Sequence, residues 1–75
     1  MNIRIFGPLE DITGSAMLNL EQVHDTDQLR EKLHREFPEL QNRKFVIAVD
    51  NRIVQHTMAL QEKSEVALLP PFSGG

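Results

Sequence analysis

One helical stretch sets the terms for the rest of this chain. Leu29, Leu33 and Phe37 recur at intervals of four, so their side chains fall on a single stripe. Asp25 is placed to cap the start, and Gln28 at the third helical position can reach back in a variant of the capping box. Thr26 is the rival cap. Arg30, Glu31, Lys32, Arg35 and Glu36 cover the remaining surface, with Glu31 preceding Arg35 in the favourable i,i+4 order. Pro38 stops the helix near Phe37, and Leu40 is expected to tuck under its end. A helix with one apolar stripe needs one sheet face to bury it against.

The flanking segments supply such a sheet. Ile3-Arg4-Ile5-Phe6 alternates as a strand does and ends at Gly7-Pro8. Residues 9–14 form a connection with apolar Leu9 and Ile12, long enough for one short helical turn. Ala16 to Leu20 alternates again and reads as a strand returning antiparallel to the first. Phe45-Val46-Ile47-Ala48-Val49 is the strongest strand signal; Asp50-Asn51 can turn it, since both tolerate the left-handed region. Arg52 to Gln55 is the return strand. Residues 56–64 cross irregularly, and Glu65 to Leu69 is a last strand, apolar on both faces as central strands are. The sum is an α+β chain with one main helix on one face of a mixed sheet of about five strands. This is the ubiquitin-like β-grasp arrangement, with the last strand parallel beside the first.

Ile3, Ile5, Leu18, Phe45, Ile47 and Leu68 are in phase to face the helix. Phe6, Val46, Ala48, Ala67 and Leu69 are in phase for the opposite face. A contiguous apolar surface of that kind marks an interaction site, unless the 9–14 connection covers it.

Composition narrows the function. With 75 residues and no Cys, the chain holds one small domain near the limit of independent stability, so a partner is expected to stabilise it. The net charge is −3 and the cations are scattered, which does not suggest nucleic-acid binding. The longest apolar run, residues 45–49, is far short of the roughly 20 residues of a membrane span. A cytoplasmic protein is the expectation. His24, His34 and His56 share no metal-ligand spacing, so no metal site is expected. Asp25 and Asp27 suit the helix dipole better than paired acid chemistry.

Beyond residues 1–69, the expected domain, residues 70–75 read as an extended tail. Pro70-Pro71 is a stiff base, Phe72 an aromatic anchor and Ser73 a polar link. Gly74-Gly75 is a slim tip that passes where a side chain would block. Fully extended, the six residues reach roughly 20 Å. A chain that stops on two glycines is expected to present its own end; the bland alternative is a frayed terminus.

These residues carry a resemblance. Ala48-Val49-Asp50-Asn51, then Glu65 through Leu69 and Pro70-Pro71-Phe72-Ser73-Gly74-Gly75, resemble the MoaD and ThiS sulfur-carrier family, MoaD being the small subunit of molybdopterin synthase. Phe6 to Gly14 fits the family's first strand and loop. Lys63-Ser64, Leu68-Leu69 and Glu10-Asp11 depart from the family's usual residues.

The resemblance implies a mechanism. A MoeB-like, E1-like adenylyltransferase would use ATP to adenylate Gly75, and a sulfur donor protein would supply a persulfide that displaces AMP to leave a thiocarboxylate. The loaded tail would enter a MoaE-like large subunit and give sulfur to cyclic pyranopterin monophosphate, building the dithiolene of molybdopterin. Gly75 is then the reacting residue, and Pro70, Pro71, Phe72, Ser73 and Gly74 thread the tail. Phe6, Val46, Ala48, Ala67 and Leu69 form the partner surface. The chain itself would bind no cofactor and supply no acid or base, so catalytic groups would belong to the large subunit. The alternatives are a ThiS-like carrier for thiazole synthesis, a ubiquitin-like protein modifier, or a ubiquitin-like binding module with an inert tail.

Overall fold

The helix forms where its stripe and caps place it. In the computed structural model, which describes residues 1–71, α2 spans Thr26–Glu36. Asp25 is extended at φ −153°, and its Oδ1 accepts from the Gln28 N–H at 2.8 Å. The return bond goes one residue further back than a standard box: Gln28 Oε1 accepts from the His24 N–H at 2.9 Å. Thr26 does not cap. It is buried, and its Oγ1 accepts from the Met58 N–H at 3.0 Å. Leu29 and Leu33 are fully buried. Phe37 ends the helix, and Pro38–Asn42 turns as a 3₁₀ helix that buries Leu40 completely.

Five strands make one sheet: β1 (Asn2–Ile5), β2 (Met17–Asn19), β3 (Val46–Val49), β4 (Arg52–Val54) and β5 (Val66–Leu69). Their order is β2-β1-β5-β3-β4. β5 is central, parallel to β1 and antiparallel to β3. Asp50 and Asn51 join β3 to β4 at φ 51° and 68°, the left-handed pair that a two-residue hairpin requires. Asp50 also ties this turn to β5, its Oδ1 accepting from the Glu65 N–H at 2.9 Å.

Register sorts the side chains onto two faces. Ile3 pairs with Val66, and Ile5 and Ile47 both pair with Leu68; all are buried in one cluster with Leu29, Leu33 and Leu40. Phe45 joins that cluster, while Leu18 packs against it only partly buried. The short helix α1 (Leu9–Thr13) buries Leu9 in the same cluster and ends at Gly14, left-handed at φ 77°. The crossing after β4 is irregular but pinned. Thr26 N–H donates to Met58 O at 2.9 Å, Leu60 N–H donates to His24 O at 2.8 Å, and Asp25 bridges Ala59.

β1 closes at Ile5, one residue before its expected end. The reason lies at Gly7, whose carbonyl accepts from the Glu10 N–H at 3.1 Å and turns the chain into α1. Phe6 still donates its N–H to Leu68 O at 3.1 Å, so the ladder reaches one bond past the strand.

Leu33 carries the helix–sheet contact at zero exposure. Leu33→Ala is expected to lower unfolding free energy by about 2–5 kcal/mol, read from urea denaturation. A loss under about 1 kcal/mol would mean that the helix is not held by this stripe.

Candidate functional site

Among the described residues no helix lies over the second face of the sheet. Register assigns its members: Arg4 lies between Met17 and Ala67, Ala48 between Ala67 and Ile53, and Val46 opposite Leu69. Phe6, Met17 and Ile53 are 41%, 45% and 45% exposed. Together with Arg4, Ala48, Ala67 and Leu69 they line a shallow groove of about 660 Å³, rimmed at one end by Asn2, Glu62 and Glu65. The 9–14 connection does not cover it, because Leu9 turns into the core and Ile12 packs against the same cluster.

Five residues were expected on this face from sequence. Phe6, Ala48, Ala67 and Leu69 line the groove; Val46 shares the face through its pairing with Leu69. Ala48 is buried and forms the floor of the groove. Its small side chain lies below those of its neighbours in the sheet. Met17, Ile53 and Arg4 were not singled out. Alternation from Leu18 would have found Met17, and the two-residue turn would have placed Ile53 opposite Ala48.

The base of the tail is held at one point. Ile5 pairs with Leu68 in parallel register, so Gly7 comes level with Pro70 as both strands end. Gly7 has φ +63°, and a Cβ built on it would lie 3.2 Å from Pro70 Cγ and 3.6 Å from Cδ. The proline ring thus packs closely against the bare Gly7 Cα, and a Cβ there would require it to give by a few tenths of an ångström. Pro70 is half-buried and Pro71 exposed. The expectations on Phe72, Ser73, Gly74 and Gly75 lie outside the described residues.

The titratable groups are spread out. Among the described residues no three His, Asp or Glu side chains are grouped to hold a metal ion. Asp25 serves as the cap, and Asp27 Oδ2 accepts from Thr57 Oγ1 at 2.6 Å. His34 meets the Phe45 ring edge-on at 5.9 Å, with the Arg30 guanidinium 5.3 Å from the same ring centre. No helix among the described residues is long and apolar enough to cross a membrane.

Known proteins share this architecture. A family model described as the ThiS family matches residues 3–75. SAMP1 from Haloferax volcanii is similar at a TM-score of 0.71 and 19% identity, over 99% of this chain and 97% of that one. A chain in the complex of subunits 1 and 2 of the molybdopterin-converting factor from Helicobacter pylori is similar at a TM-score of 0.71 and 23% identity. That match covers 99% of this chain and 96% of the other. The fold is the ubiquitin-like β-grasp.

Exposed groove residues contribute to folding only through cross-strand pairing, worth up to about 1 kcal/mol each. Met17→Lys and Ile53→Lys are therefore expected to shift unfolding free energy by about 1 kcal/mol or less. Ala48→Lys, on the buried floor, is expected to unfold the domain. Denaturant titration distinguishes them; equal, large losses at all three positions would make this face part of the core.

Proposed function

The chain belongs to the ThiS family, and on that premise we propose that it carries sulfur on Gly75 for molybdopterin synthesis. The coarser description is a sulfur carrier or ubiquitin-like protein of the ThiS and MoaD kind. Continuity supports the carrier reading: the family match runs through residue 75, and the central strand leads directly into Pro70-Pro71, a pair that fits the molybdopterin carrier better than the thiazole one. The neighbour from the Helicobacter pylori two-subunit factor supports a large-subunit partner of the MoaE kind. SAMP1 is as similar in fold, which keeps a ubiquitin-like modifier as the second reading.

The chemistry asks little of the chain itself. A carboxylate reacts poorly with nucleophiles because oxide is a poor leaving group. An activating enzyme of the MoeB kind transfers AMP from ATP to Gly75 and releases pyrophosphate. A persulfide sulfur from the donor protein then attacks the acyl carbon and expels AMP, leaving an acyl disulfide. A second thiolate attacks the donor's sulfur, forming a disulfide with the donor as the S–S bond breaks, and the thiocarboxylate leaves on Gly75. In the synthase the loaded tail gives its sulfur to cyclic pyranopterin monophosphate. The groove provides apolar docking area, and Phe72, Ser73 and Gly74 lead the tip into a narrow channel.

Mass spectrometry of protein from native cells tests the carrier step. An oxygen-to-sulfur exchange at Gly75 is expected; its absence in cells making the cofactor would overturn the proposal. Pull-down distinguishes the pathways: a pterin enzyme supports this reading, while a thiazole enzyme or isopeptide-linked targets replace it. Gly74→Leu is expected to keep docking but lose pyrophosphate release, because a displacement of about 1 Å can lower a rate about 10²-fold.

Docking has its own probe. Phe6 is exposed at the edge of the groove, so Phe6→Asp is expected to leave the melting temperature nearly unchanged. Loss of this exposed apolar anchor should weaken large-subunit binding by about 2 kcal/mol. Wild-type affinity by calorimetry would remove the groove from the interface.

A further inference from the structure

We infer that Gly7 is a positioning residue: the space left by its missing side chain seats the Pro70 ring and fixes the direction in which the chain leaves the sheet. The observation is the 3.2 Å separation between Pro70 Cγ and the place where a Gly7 Cβ would stand. That is tighter than the roughly 3.5–4.0 Å at which carbon atoms pack best, so a Cβ at Gly7 would push the ring by a few tenths of an ångström. The two residues meet because β1 and β5 run parallel. Ile5 lies beside Leu68, the Phe6 N–H donates to Leu68 O at 3.1 Å, and one residue further on Gly7 stands level with Pro70.

Several features hold this abutment in place. Gly7 is fixed at φ +63°, with its carbonyl bonded to the Glu10 N–H at the entry to α1. Leu9, two residues on, is 2% exposed in the core, so the turn cannot swing away without withdrawing it. On the other strand, Leu68 is fully buried and paired on both sides, to Ile5 and to Ile47. Pro70 has no N–H to extend the ladder, and its ring fixes its own φ. One rotatable ψ therefore separates a rigid sheet from the tail base, and the Gly7 turn blocks one side of its range. Pro71 extends the stiffness by a further residue.

This inference rests on the carrier reading for its consequence but not for its geometry, and the test separates the two. In free wild-type protein, proton NOE spectra should show cross-peaks from the Gly7 Hα pair to the Pro70 Hγ and Hδ protons. Their absence overturns the abutment whatever the protein does. Two substitutions then separate clearance from backbone strain. Gly7→Ala adds a Cβ and strains a positive φ, whereas Gly7→Asn adds the same Cβ with a residue that tolerates the left-handed region.

Gly7→Ala should melt lower than Gly7→Asn. With the activating enzyme, assayed well below both midpoints, both variants should keep the wild-type dissociation constant within about twofold. Pyrophosphate release should nevertheless fall about 10- to 100-fold in kcat for both, as for a reacting group misplaced by about 1 Å. If kcat instead follows the melting order, with Gly7→Asn near wild type, Gly7 serves the turn alone and the inference is overturned. Wild-type protein that docks yet releases no pyrophosphate would count against the carrier function, leaving the NOE result to decide the contact.

Discussion

The parallel pairing of β1 with β5 is the constraint on which the rest of this structure depends. It joins the first strand to the last, through Ile3 with Val66, Arg4 with Ala67 and Ile5 with Leu68. Nearly the whole chain must be closed into a loop for those residues to meet. The entropy of that closure grows only slowly with length, yet the pairing alone does not repay it. Burial does: Ile3, Ile5, Val66 and Leu68 all lie at 5% exposure or less, against Leu29 and Leu33 at zero. The sheet is held at its centre by contacts remote in sequence, while its two outer strands are added by local hairpins and carry the exposed residues.

A core of this kind is one-sided. The helix covers one face, and residues 55–64 are spent on crossing over its start, pinned by Thr26, His24 and Asp25. Among the described residues no element is left to cover the second face. Its side chains are graded in size, with Ala48 and Ala67 paired at the centre and Phe6, Met17, Ile53 and Leu69 around them. Small residues in the middle and large ones at the edge make a shallow dish. Arg4 stands within it, flanked by Met17 and Ala67, and brings a cation to a surface whose acids, Glu62 and Glu65, lie at the rim.

The elements were legible in the sequence because their signals are local. The Asp25 cap, the Leu29–Leu33 spacing and the Asp50-Asn51 turn each act within a few residues, and each formed where its chemistry placed it. The alternation in residues 45–49 and 65–69 gave the two faces correctly. What was not legible depends on lateral neighbours. Ala48 reads as a surface residue by alternation, and its burial comes from Ala67 and Ile53 on either side. Phe6 follows Arg4 onto the open face in the strand's alternation, but the Gly7 carbonyl, taken up by Glu10, ends the strand before it. Thr26 is chemically a good cap; burial against the crossing claimed its hydroxyl for Met58. The Gly7–Pro70 contact was the least accessible of all, since Gly-Pro and Pro-Pro read only as breaks until the parallel register sets them side by side.

The same strand that closes the core also links the groove to the tail. Along β5, Val66 and Leu68 point into the core, Ala67 and Leu69 point to the groove, and Pro70 follows at once. A partner that rests on Leu69 therefore sits at the root of the tail. From Leu69 the six remaining residues reach at most roughly 20 Å when fully extended, and the contact with Gly7 narrows the directions open to the first of them. Under the carrier reading this is a geometric demand on the partners. The activating enzyme and the large subunit must each place their reacting centre within about 20 Å of the spot where they meet Leu69, on the side to which Pro70 points. Two enzymes that perform different chemistry on Gly75 would then share a docking surface and an approach channel of similar length, and could not hold the same carrier at the same time.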